Sequence, residues 1–268
     1  MPNIKKLSFI FFAFLFSAHL IAMPRPIQDR SAEEILRSYV EDFQADPAAA
    51  EPITFGIRIK DETKAEWQVA VLGTKDSAGI YQVELRKELP SNPSFIYTLD
   101  MTTLRKIDTG EINALTAMGR ARMSDPTPMD VEFMAGFQPD PSFLARFLPF
   151  TFHFWTRGFP ETVAFGKQHS REVHGANMVI FYYQKGLRSA WGQIDKGQHV
   201  NKDPKDQTNP FPTMVIGIRG KAVAKIGGKE VTLQAGQMAF VPAGVSHEAW
   251  NPYDEPAEII LLMFGEGA

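Results

Sequence analysis

The chain has 268 residues, enough for one or two domains with a buried core. Its 44% apolar and 22% charged content marks a globular protein and excludes a disordered one. The formal net charge of −3 leaves no basic footprint for nucleic acid, and the lack of cysteine excludes disulfides and a thiol-linked lipid anchor.

Residues 1–22 read as a secretory signal peptide. Lys5 and Lys6 form a basic head, Leu7 to Phe16 is almost wholly apolar, and the small Ala18 and Ala22 follow. His19 interrupts a run that is short for a membrane span. This pattern predicts cleavage after Ala22, a mature chain from Met23, no stable membrane anchor, and a periplasmic or secreted location.

A first domain is expected over 31–136. Ser31-Ala-Glu-Glu34 is a capping box, and Ile35, Leu36, Tyr39, Val40 and Phe43 share one face of the helix behind it. Strands are predicted at 53–59, 65–72, 80–85 and 95–99. Helical segments follow at 101–107 and 112–118, with Asp100 as the N-cap of the first, and Val131 and Phe133 mark a last strand. This order, and above all FIYTLDMTTLRKIDTGEINALTAMGRARMS over 95–124, resembles the sterol-carrier-protein-2-like fold. The resemblance implies a lipid or acyl chain held under a mainly antiparallel sheet.

Residues 137–168 form an aromatic-rich connector that includes Phe143, Phe147, Phe150, Phe154 and Trp155. Pro139, Pro141, Pro149 and Pro160 argue against one long helix; the aromatic density suits a lipid entrance, a membrane-facing patch or an interface, and the favoured expectation is a packing layer, because two small domains must bury surface between them.

From 169 to 268 the pattern turns to short strands. They are expected at 178–184, 188–194, 214–219, 222–226, 230–233, 237–241, 247–250 and 258–264, with a hairpin at Gly227-Gly228. Within them lies GQMAFVPAGVSHEAWN, Gly236 to Asn251. Pro242 ends a ladder, Gly244 supplies a backbone conformation closed to other residues, His247 restarts a strand, and Asn251 before Pro252 stops it. Its spacing, G-x5-P-x-G-x2-H-x3-N, resembles the second motif of the cupin superfamily, a double-stranded β-helix. The whole chain is thus expected to be an α+β domain followed by an all-β cupin barrel.

The resemblance also shows a departure. The first cupin motif supplies H-x-H and then a glutamate before a glycine, matched here by Gly220. Thr213 stands at the glutamate position, and the preceding segment offers His199 without a second histidine, with Asp203, Asp206 and Asn209 nearby. The metal pattern is degraded, because catalytic metal sites commonly use three protein ligands.

Three readings follow. The first is an exported two-domain protein that binds a small or lipid-like ligand, with His247, His199, Arg188 and Trp191 as pocket residues and Arg188 selecting a carboxylate or phosphate. The alternative is a metal-dependent cupin enzyme, an isomerase or dioxygenase, with His247, His199 and Asp203 on a divalent metal. The third is a structural protein that forms a homodimer through its barrel.

Overall fold

The computed structural model describes residues 30–92, 94–120 and 125–268. The expected signal peptide, 1–22, and its cleavage site lie outside the described residues. Helix α1, Ala32–Phe43, begins on the predicted capping box: the Glu34 amide donates to Ser31 Oγ at 3.2 Å, and the Ser31 amide donates to Glu34 Oε2 at 2.9 Å. Its apolar stripe is wholly buried. Each such side chain contributes about 1.5–3 kcal/mol of transfer free energy.

The N-terminal sheet contains β1 (Ile53–Ile59), β2 (Glu66–Lys75), β3 (Tyr81–Arg86), β4 (Phe95–Leu99) and β5 (Met129–Phe133), in the order β3-β2-β1-β4-β5. Only β1 and β4 pair in parallel. Helix α2, Met101–Asp108, starts at Asp100, whose carboxylate accepts from the Thr103 amide at 2.6 Å. Helix α3 spans Ala114–Met118. The helix-and-sheet character is therefore as expected.

The connector differs from its expectation. Helix α4, Pro141–Phe154, runs through both of its prolines. Pro141 occupies the first turn, where the missing N–H would have had no partner, while Pro149 removes one ladder bond. Packing outweighs that loss. Phe150 and Phe154 lie 5.3 and 4.9 Å from Phe55, which also meets Phe95 and Tyr97 at 5.5 Å. The first half of the connector thus completes the N-terminal core. Phe152 faces Tyr182 at 5.5 Å, so α4 also touches the barrel.

The barrel has two sheets. The larger holds β6 (Arg171–Val173), β7 (Ala176–Gln184), β8 (Leu187–Ile194), β10 (Thr213–Arg219), β13 (Met238–Val241) and β15 (Ala257–Phe264), in the order β13-β10-β15-β8-β7-β6. The smaller holds β9 (His199–Val200), β11 (Lys221–Ile226), β12 (Lys229–Gln234) and β14 (His247–Trp250), in the order β12-β11-β14-β9. A bulge separates Ile180 from Tyr182 in β7. The N-terminal domain satisfies the backbone there: Asn113 Nδ2 donates to the Ile180 carbonyl at 3.1 Å, and the Ile180 amide donates to Thr116 Oγ1 at 2.7 Å.

The motif residues hold the turns between the sheets. Gly220 has φ +62°, and a Cβ there would meet the Pro256 carbonyl oxygen at 2.2 Å, so no larger residue fits. Asn251 is buried and donates through Nδ2 to the carbonyls of Ile194 and Glu255, both at 2.9 Å, while its Oδ1 accepts from the Tyr253 amide.

Candidate functional site

A cavity of about 490 Å³ lies between the two barrel sheets, within the size range of small-molecule sites. Gly119 and Arg120, from just beyond α3, help to line it, so the N-terminal domain closes part of its wall.

Strand alternation decides which side chains face it. Across the larger sheet, register aligns Tyr183, Arg188, Met263, Thr213 and Val241 in one cross-strand row, and all five line the cavity. The next row along the strands is Ile180, Ala190, Leu261, Val215 and Ala239. Beyond it come Met178, Gly192 and Ile259. On the larger sheet the polar side chains thus gather at one end and the rows beyond are apolar, while Lys205, Asp206, Asn209 and His247 line the cavity from other elements.

Arg188 is the main charge at the polar end. Its guanidinium lies 4.3 Å from the Tyr183 ring and 4.9 Å from the Phe211 ring, and its Nη2 donates to the Gly267 carbonyl at 3.3 Å. Its Nε is buried without a hydrogen-bond partner, and no carboxylate among the described residues pairs with it. Burial holds its pKa below the usual arginine value. Thr213 Oγ1, on the same row, is also buried and unpartnered. Burial likewise raises the Tyr183 phenol. Arg188 and Thr213 thus bring a guanidinium and a hydroxyl-bearing side chain to one rung of the cavity wall.

His247 lines the same cavity from the smaller sheet. Its Nδ1 lies 3.1 Å from the Val245 carbonyl and its Nε2 lies 3.5 Å from Asn209 Nδ2. The loop that carries Asn209 also carries Phe211, so one segment touches both His247 and Arg188.

The other expected pocket residues lie elsewhere. Trp191 alternates with Arg188 and Ala190, so it points out of the barrel, where its indole donates to Glu258 Oε2 at 3.2 Å. His199 also faces outward, because its neighbour Val200 lines the cavity. The His199 imidazole meets Glu248 Oε2 at 2.8 Å and lies beside Trp250. Asp203 is exposed and caps a 3-10 turn through the Lys205 amide at 3.0 Å. Of the pocket set, Arg188 and His247 come together. The set His247, His199 and Asp203 does not converge, so the barrel residues do not fit the metal that the cupin resemblance implies. Sequence reasoning had Thr213 only as a missing glutamate. Its role as an orphan hydroxyl needed the register between β10, β15 and β8.

Comparison with known proteins bears on the same segment. A family model described as a cupin domain matches residues 194–263. No curated protein matches the chain. Solved structures similar to it include a Cupin 2 conserved barrel domain protein from Salinispora arenicola, 16% identical, covering 39% of this chain and 88% of that one with a TM-score of 0.35. An RmlC-like cupin from Shewanella frigidimarina is 21% identical, covering 40% and 92% with a TM-score of 0.34. The plu4264 protein from Photorhabdus luminescens is 11% identical, covering 39% and 87% with a TM-score of 0.35. The sterol-carrier resemblance of the N-terminal half rests on its order of elements alone.

Proposed function

We propose that the C-terminal unit, a cupin domain over residues 194–263, binds a small amphipathic acid inside its barrel and that the chain is an exported two-domain binding protein. The observation that carries this reading is the rung shared by Arg188 and Thr213. Arg188 lines the cavity there as a guanidinium that pairs with no carboxylate among the described residues, a group that would favour an anionic head group. The apolar rows behind it suit an aliphatic or aromatic body. His247 lines the same chamber, its ring held between the Val245 carbonyl and the Asn209 amide. Export rests on the sequence of residues 1–22.

Mass spectrometry of a denaturing extract tests the reading, using protein purified from its own compartment. A carboxylate or phosphate bearing an apolar body supports it. Repeated empty extracts, together with no binding of a fluorescent fatty acid, contradict it. The enzyme reading has less support, because its metal ligands do not meet in the barrel.

A homodimer through the barrel belongs to the same proposal. Met238 and Phe240 are exposed on β13, and register sets them beside Ile216 and Met214 on the outer face of the larger sheet. Light scattering that returns a monomer at all concentrations removes this part.

A further inference from the structure

We propose that Asp46, His153 and Glu161 form a divalent transition-metal site where the ends of α1 and α4 meet the connector, outside the barrel cavity. One ligand atom from each lies within 4.8 Å of the others. The three come from separate segments. Asp46 follows α1 and caps a 3-10 turn, with Oδ1 accepting from the Ala48 amide at 2.7 Å. That bond fixes the carboxylate so that Oδ2 reaches His153 Nδ1 at 3.2 Å. His153 stands in the last turn of α4, and Glu161 follows it in the connector.

The proton count points to a cation. His153 Nδ1 carries at most one hydrogen, and both carboxylates lie against it. Glu161 Oε1, a buried atom, packs against the same nitrogen as its ion-pair partner. The Asp46 side chain is only 2% exposed and that of Glu161 12%. A buried and a part-buried carboxylate therefore converge on one ring nitrogen. A buried charged oxygen is costly unless it is paired or bound to metal.

A divalent ion in place of the shared proton satisfies all three groups at once. Two carboxylate oxygens and one imidazole nitrogen suit Zn²⁺ or Mn²⁺, with water completing the shell. The His153 side chain is 28% exposed, which leaves an approach from solvent. An ion here would tie the end of α1, the end of α4 and the connector together, so its binding would add to folding stability.

The test uses the full-length chain without a histidine tag, stripped with chelator and titrated with Zn²⁺ and with Mn²⁺ by calorimetry and thermal unfolding. The proposal expects one tight site per chain and a rise in Tm on loading. Glu161→Gln should lose the site and the rise. Its amide can still donate to Asp46, so the fold is expected to survive, and circular dichroism checks this. His153→Gln should behave likewise, whereas His247→Ala should keep the site. The proposal is overturned if the wild-type chain binds neither ion, if Glu161→Gln retains full binding, or if His247→Ala abolishes it. A wild-type chain that binds no metal but gains stability from Glu161→Gln would indicate a shared-proton carboxyl pair and would equally overturn it.

Discussion

Arg188 and Thr213 sit on one cross-strand rung of the barrel, separated by Met263, and each carries a buried polar atom without a hydrogen-bond partner. Burying such atoms unpaired costs roughly 1–3 kcal/mol each. Both residues line the cavity, so the rung sets a charged and a hydroxyl-bearing side chain on one wall.

The first prediction follows from Thr213. Thr213→Val removes the orphan hydroxyl and keeps the shape of the side chain. The free protein should become more stable by about 1 kcal/mol, while affinity for the acid falls by about fivefold. Denaturant unfolding without ligand and calorimetry with it give the two readouts. A loss of stability in the free protein would show that the hydroxyl already has a partner.

The two histidines should separate cleanly. His247 lines the cavity, whereas His199 does not and meets Glu248 instead. His247→Ala should weaken binding about tenfold with the fold intact, and His199→Ala should leave affinity unchanged. Chelator should alter barrel binding in neither variant. A comparable loss of affinity from His199→Ala would place that side chain in the pocket after all.

A pH effect follows from Asp195. It accepts from Lys167 Nζ at 2.7 Å, Gln193 Nε2 at 2.5 Å and Asn177 Nδ2 at 3.1 Å. The Lys167 contact, first among these, holds its pKa below the usual carboxylate range. A depressed pKa gives stability that is present above the unfolded value and is lost as pH falls through the folded one. Asp195→Asn should therefore cost about 0.5–1 kcal/mol at neutral pH. The gap should close in acid, as urea melts across the pH range would reveal. A gap that persists in acid would mean that packing, not charge, makes the difference.

Much of this fold was legible because its signals are local. The capping box at Ser31 and Glu34, the N-cap at Asp100, and the run from Gly236 to Asn251 each specify backbone within a few residues. Helix α4 was not legible, since Pro149 reads as a breaker and only contacts with Phe55, distant in sequence, offset it. The site was half legible. Alternation already separated Arg188 from Trp191, yet both were expected in one pocket. Thr213 Oγ1 and the Asp46–His153–Glu161 group depend on long-range register and packing, to which spacing is blind.

The central claim is that Arg188 receives an anionic head group inside an apolar barrel. Its most direct test is isothermal titration of the wild-type chain and of Arg188→Gln with octanoate and with octanol. The wild type should bind octanoate more tightly than octanol. Arg188→Gln should lose about 10- to 100-fold toward octanoate, as expected for about 1.5–3 kcal/mol from a charged hydrogen bond, with little change toward octanol. Equal affinity of the two proteins for octanoate, or a wild type indifferent to the carboxylate, would contradict the account.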